Sequence, residues 1–222
     1  MSASEHTFTL HIGAPKTGTS ALQHLLRTTP PTGLYYPETG QWPDGAHHHL
    51  VFAWLGKTLM GESAPRRAGD ILRDLRTEIL GAPESDAVIS SEEIFDMPRA
   101  GLALLTALQE RLGHRFGRWQ IVATLRDHGA RMASAYNQAV KDAAKGETRH
   151  PDAFAEESVG AYLYHPRLSV WNEGGVALKL LDFAPSGTAV ERALKVIGAA
   201  PPEARPLVRN RAIGPRALAA ML

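Results

Sequence analysis

The chain has 222 residues, 44% of them hydrophobic, enough for one full-sized α/β domain with a large buried core. Lys and Arg number 24 against 23 Asp and Glu, a net charge of +1, which excludes the broadly basic balance of a general nucleic-acid binder and makes any anion site local. There is no cysteine, so disulfides, thiolate nucleophiles and Cys-ligated metals are excluded, and a reducing compartment fits.

In chain order, Met1 to Thr7 is polar and lacks the basic start and apolar run of a secretory signal. No later apolar run reaches spanning length, so a soluble, cytoplasmic chain without a membrane span is expected. Thr7 to Gly13 reads as a buried strand ending in a tight loop, and Ser20 to Arg27 as a helix stopped by Pro30 and Pro31. Gly33 to Pro37 is a short aromatic strand, and His47 to Met60 and Arg66 to Leu80 carry apolar residues at helical spacing. A strand at Ala87 to Ser91 precedes a helix from Gly101 to Arg111. A second strand follows at Trp119 to Leu125, then a helix from Ala130 to Ala144. After an interruption at Gly146 to Pro151 come two short helical stretches, a strand at Val176 to Phe183, a helix from Thr188 to Ile197 and a Pro- and Arg-rich tail that turns helical. Alternating strands and helices imply a single α/β domain over residues 1–222, its mostly parallel central sheet flanked by helices in three layers. Ligands of such sheets collect at the carboxyl ends of the strands.

The loop after the first strand is the strongest chemical signal. Gly13, Ala14, Pro15, Lys16, Thr17, Gly18, Thr19 and Ser20 stand where backbone amides and a helix N-terminus converge on an anion. The glycines permit close approach, Lys16 adds a point charge, and the hydroxyls of Thr17, Thr19 and Ser20 are candidate donors. In an ordinary nucleotide-binding loop the Lys follows the second Gly, with Ser or Thr next to it to hold magnesium. Lys16 instead precedes Gly18.

Pro15 to Ser20 (PKTGTS) resembles the phosphosulfate-binding loop of the sulfotransferases, P-K-[ST]-G-T-[TS], at every position. That family pairs the loop with an Arg followed eight residues on by a Ser, and Arg126 and Ser134 reproduce the spacing after the strand Trp119 to Leu125. The family's usual Pro two residues after the Arg is His128 here, and Arg131 sits one helical turn before Ser134, placed to brace the site or reach the cofactor. The resemblance implies a P-loop-type fold that binds 3′-phosphoadenosine 5′-phosphosulfate (PAPS). Pro15, Lys16, Thr17, Gly18, Thr19 and Ser20 would hold its 5′ end, and Arg126 and Ser134 its 3′-phosphate. It implies transfer of a sulfuryl group to a hydroxyl or amine of a carbohydrate, lipid or other small-molecule acceptor, with no metal and no nucleic-acid partner. A catalytically degenerate nucleotide-binding protein and a P-loop kinase or NTPase are the alternatives. Arg209, Arg211 and Gly214 faintly echo a basic, Gly-containing stretch that covers the 3′-phosphate in relatives.

Sulfuryl transfer needs positive charge on the bridging oxygen and a base on the acceptor. Lys16 is the natural cation. For the base, Glu92 comes first, because one of the adjacent carboxylates Glu92 and Glu93 should point into the crevice and the other away. A helix start capped by Ser91 is the competing reading of the same residues. Among His47, His48 and His49, which point to different faces of a helix start, His48 is the second candidate, and a weak metal site the bland alternative. Tyr136, Gln138, Lys141, Tyr162, Tyr164 and Trp171 could contact an acceptor, and the loops Glu38 to Gly45 and Gly146 to Glu157 could shape its specificity.

Overall fold

The computed structural model describes residues 5–59, 62–63, 66–83, 85–142, 146–183 and 188–200. Strand β1 (Thr7–His11) runs into a loop and helix α1 (Thr19–Thr28), followed by β2 (Leu34–Tyr35) and α2 (His48–Leu55). A small hairpin, β3 (Thr58–Leu59) and β4 (Glu62–Ser63), precedes α3 (Ala68–Gly81) and β5 (Asp86–Ser90). A 3₁₀ turn at Glu92–Ile94 leads to α4 (Pro98–Leu112), β6 (Arg118–Leu125) and α5 (His128–Lys141). The described chain continues with α6 (Pro151–Tyr162), α7 (His165–Asn172), β7 (Ala177–Asp182) and α8 (Ala189–Ile197).

Five strands form one sheet in the order β2-β5-β1-β6-β7, every pair parallel. β1 lies in the middle, so the loop that follows it opens where the chain crosses from one half of the sheet to the other, the usual crevice of an open parallel sheet. Strand alternation sorts the core into two layers. Phe8 and Leu10 of β1 and Ala87 and Ile89 of β5 pack with α2, α3 and α4, whereas Val88 faces Leu22, Leu25 and Leu26 of α1 and Val190, Leu194 and Ile197 of α8. Apolar residues at positions i, i+3 and i+4 make α1 a helix with one buried face, and each such leucine contributes about 2 kcal/mol of burial. His11 and Ser90 lie on the α1 side of the sheet and are paired across the β1–β5 ladder.

The three-layer α/β architecture expected from the alternation of elements is the one found. Boundaries differ at identifiable places. α2 stops at Leu55 because Gly56 takes the left-handed conformation (φ 60°) and caps it, well before the expected end at Met60, which lies outside the described residues. α4 starts three residues before Gly101, because Pro98 occupies the first turn, where a missing N–H costs nothing. Pro151 likewise opens α6, so the second half of the expected loop Gly146 to Glu157 is helix. Among the described residues no helix is long and apolar enough to cross a membrane.

Candidate functional site

The loop between β1 and α1 is shaped for a close anion. Lys16 is the one non-glycine among the described residues with positive φ (71°), a left-handed conformation that costs an L-residue about 1 kcal/mol or more and marks functional loops. Gly13 cannot carry a side chain: a Cβ there would lie 2.3 Å from Thr19 Cγ2 and 3.1 Å from His11 Cε1. Gly18 (φ 83°) is the N-cap of α1, and no side chain caps the helix, so the Thr19 and Ser20 amides at its start face a ligand, while Ala21 N–H already donates to the Gly18 carbonyl (3.1 Å). The three expected hydroxyl donors divide. Thr17 is buried and donates to the Ala14 carbonyl (2.5 Å), closing the loop on itself, while Thr19 is buried with its methyl packed toward Gly13. Ser20 remains half-exposed in the first turn of α1.

Arg126 follows β6 and reaches back to this loop, its Nη1 donating to the Lys16 carbonyl (3.3 Å). The Tyr164 hydroxyl clamps its backbone, accepting from Arg126 N–H (3.2 Å) and donating to the Arg126 carbonyl (2.9 Å). The Arg126 guanidinium lies 5.0 Å from the Phe183 ring centre, and the same ring approaches Gly18, where a Cβ would meet it at 3.4 Å. Asp127 caps α5 by accepting from Ala130 N–H (2.9 Å), and His128, where the family pattern has Pro, packs its ring on Tyr164. Ser134 is half-buried on α5. Arg131 does not reach outward: it is 2% exposed, donates to the Tyr162 carbonyl and lies among the rings of Phe95, Tyr162 and Tyr164. It is therefore a brace between α5 and the α6–α7 segment. Arg209, Arg211 and Gly214 lie outside the described residues.

The carboxyl end of β5 carries a second cluster. Glu92 turns inward and Glu93 is exposed, the division expected of adjacent carboxylates. Ser91 precedes the 3₁₀ turn without capping it through its side chain; its hydroxyl instead meets His48 Nδ1 at 2.9 Å. That contact aims His48 Nε2 toward Glu92 Oε2, 3.9 Å away, so the two candidate bases share one place. Gln23 of α1 donates from Nε2 to Glu92 Oε2 (2.8 Å) and to Ser90 Oγ (3.1 Å). Ser90 Oγ in turn contacts His11 Nδ1 (2.8 Å).

His47 is a fastener. Its backbone N–H donates to the Ser90 carbonyl (2.7 Å), its Nδ1 accepts from Ser90 N–H (3.1 Å), and its Nε2–H donates to the Pro37 carbonyl (2.9 Å). Both nitrogens being occupied, His47 neither binds a metal nor takes a proton from an acceptor in this arrangement. Burial pushes the His11 ring down to about 4, against the raising influence of Glu92, and does the same to His47 against its backbone hydrogen bonds. His49 packs edge-on against Trp42. Among the described residues no group of three or more His, Asp or Glu side chains is placed to hold a metal ion.

On the other side of the phosphate loop, a cavity of about 450 Å³ is bounded by Pro15, Lys16, Asp96, Gln138, Phe154 and Tyr162, among others. Lys16 Nζ lies at its edge and donates to Gln138 Oε1 (3.3 Å). Of the expected acceptor contacts, Gln138 and Tyr162 line this cavity. Tyr136, Tyr164 and Trp171 are buried and serve packing; the Trp171 indole is fully covered and donates to the Phe95 carbonyl. Lys141 is half-buried at the end of α5. The loop Glu38 to Gly45 is tied down by the Glu78 carboxylate, which accepts from the Glu38 and Thr39 amides and from the Tyr35 hydroxyl. Sequence reasoning missed Gln23, Ser90, His11 and Phe183; a polar Gln on the apolar face of α1 was the one available signal for the first three.

Solved structures similar to the chain include a sulfotransferase from Alicyclobacillus acidocaldarius, which superposes with a TM-score of 0.52 at 18% identity over 97% of this chain and 88% of that one. Mouse sulfotransferase SULT7A1 complexed with PAP gives 0.47 at 11% identity, over 90% of this chain and 61% of that one. The sulfotransferase domain of the Synechococcus PCC 7002 olefin synthase gives 0.46 at 12%, over 91% and 76%. No family model matches the sequence, and a search of curated proteins finds no match. The likeness to the Alicyclobacillus protein shows a shared fold.

Proposed function

We propose that this chain is a sulfotransferase that uses PAPS and passes its sulfuryl group to a hydroxyl or amine of a carbohydrate or other small-molecule acceptor. The observation that carries the reading is the bond from Arg126 to the Lys16 carbonyl, which joins in one site two sequence motifs 110 residues apart. The residues fit the nucleotide on three further counts. The uncapped start of α1, the side-chain-free approach at Gly13 and the left-handed Lys16 form a cradle for the 5′ sulfophosphate. Arg126 and Ser134 would hold the 3′-phosphate by charge-assisted hydrogen bonds. Phe183, packed between Gly18 and Arg126, offers a flat apolar face beside both phosphate sites.

Bound there, the nucleotide supplies the sulfuryl group. Lys16 then neutralises negative charge growing on the leaving oxygen, a preorganised electrostatic role. Gln138 orients the Lys16 ammonium. The acceptor would present its reacting hydroxyl on the Glu92 side of the loop, and the cavity bounded by Lys16, Gln138 and Tyr162 on the other side would take the rest of a larger acceptor. Glu92 takes the acceptor proton, and His48, fixed by Ser91, stabilises the charge on that carboxylate or relays the proton onward.

Binding of adenosine 3′,5′-bisphosphate, the product left after transfer, tests the donor site directly. Without magnesium it should raise the melting temperature in proportion to log concentration, and Arg126→Ala should weaken it about tenfold or more. No stabilisation at millimolar concentration would sink the proposal. Magnesium-dependent binding of ATP instead would point to a kinase or NTPase. Intact bisphosphate affinity with no radiolabelled transfer to sugars, lipids or phenols would mark a nucleotide-binding protein without catalysis.

A further inference from the structure

We infer that Gln23 is the positioning residue for the proton acceptor: it pins Glu92 by Oε2 and leaves Oε1 as the atom that takes the acceptor proton. The inference rests on the sulfotransferase reading for its chemistry and on hydrogen-bond geometry for everything else.

Gln23 is 1% exposed, on a helix face otherwise made of leucines, where an unsatisfied amide would cost about 1–3 kcal/mol. Its Nε2 carries two hydrogens, and both are committed, one to Ser90 Oγ (3.1 Å) and one to Glu92 Oε2 (2.8 Å). Ser90 Oγ accepts from Gln23 and meets His11 Nδ1 at 2.8 Å, donating to it when the neutral ring carries its hydrogen on Nε2. A line of directed bonds therefore runs from the central strand through β5 and α1 to the carboxylate. Every member before Glu92 is buried, so no water competes for the donor.

Both inward partners of Glu92 address the same oxygen: Gln23 donates to Oε2, and His48 Nε2 lies 3.9 Å from it. No described partner engages Oε1, and the Glu92 side chain keeps 16% of its surface exposed, so an acceptor hydroxyl could reach it. When that hydroxyl attacks, its O–H bond breaks and the proton passes to Oε1 as the oxygen forms its bond to sulfur. The electron pair of the breaking sulfur–oxygen bond leaves with the bisphosphate. Three titratable groups of neighbouring elements lie within electrostatic reach of Glu92: His11 of β1, His48 of α2, and Tyr36, which lies beyond β2. Gln23 is the neutral donor among them, and its removal changes no charge.

The deciding experiment follows the Glu92 carboxyl by NMR in protein carrying ¹³C-labelled glutamate, its signal identified by its absence from Glu92→Gln. In Gln23→Met, of similar length but without the donor, the titration midpoint of Glu92 should move to higher pH, since a bond favouring the charged form has gone. Ser90→Ala, which frees the far end of the Gln23 amide, should move it the same way by less, and serves if Gln23→Met does not fold. A midpoint unmoved in a folded variant overturns the inference, whatever the activity. With an active enzyme, Gln23→Met should lower kcat about tenfold, displace the acid limb of the pH–rate profile upward and leave bisphosphate affinity unchanged. A midpoint that moves as expected in a chain that transfers nothing to any acceptor would overturn the sulfotransferase reading and leave the anchoring of Glu92 standing.

Discussion

The two ends of the site are built in opposite ways. At the phosphate loop, consecutive residues supply the cradle, the cation and the helix start, and the internal bond from Thr17 to Ala14 closes the loop within four residues. At the carboxyl end of β5, four segments contribute one to three groups each: His11 from β1, Gln23 from α1, His48 from α2, and Ser90 to Glu92 from β5 and its turn. The first end is open, with the start of α1 uncapped by any side chain. The second is closed, with nearly every polar hydrogen already engaged. Anion binding asks for many amides at one point, which a short loop provides, whereas holding one carboxylate in a single pose asks for convergence that only tertiary structure supplies.

The largest effect should come from the open end. Lys16→Ala should lower transfer about 10³-fold, measured with radiolabelled PAPS, because the charge on the leaving oxygen loses its compensating cation. Wild-type turnover in that variant would contradict the role assigned to Lys16 and would leave the loop a binding device alone.

The closed end should reveal itself through acid lability. His11 and His47 are buried neutral near 4, against 6.5 for an exposed ring, and each takes up a proton on unfolding once pH falls below about 6.5. Stability is therefore complete above that pH and declines as pH falls toward 4, by about 3 kcal/mol for each ring. Urea titrations at pH 7 and pH 4.5 measure it, and His47→Gln, neutral at both, should flatten part of the slope. Equal stability at the two pH values would show that the rings are not held as described.

A smaller effect should separate the candidate bases. Glu92→Gln should lower kcat about 10²-fold with bisphosphate binding intact, whereas His48→Gln, whose amide can still hydrogen-bond Ser91, should cost about tenfold. The reverse order would give His48 the proton and make Glu92 its support.

The contrast between the ends also explains what the sequence could reveal. The phosphate loop was legible because its chemistry is contiguous, and the Arg126 and Ser134 pair because a fixed spacing follows a recognisable strand. The strands and helices were legible through their apolar periods, with errors at α4, where Pro98 starts a helix, and at α2, where Gly56 ends one. Glu92 and His48 could each be picked out as candidates, but nothing local shows that they meet. Gln23 and Ser90 are 67 residues apart, and His11 and Ser90 are 79 apart. Arg131 had two readings in the sequence, a brace or a cofactor ligand, and three aromatic rings from other segments select the brace.

Helix α1 joins the two ends, since its first turn continues the loop after β1 and its second carries Gln23. Three residues separate Ser20 from Gln23, a rise of about 4.5 Å along the axis. In the proposed reaction the helix would be a gauge of fixed length between sulfur donor and proton acceptor, and a one-residue slip would swing Gln23 about 100° away from Glu92. Such a gauge leaves little freedom to retune the chemistry from this side, so a change of acceptor preference has to come through the opposite wall, where Gln138 on α5 and Phe154 and Tyr162 on α6 line the cavity.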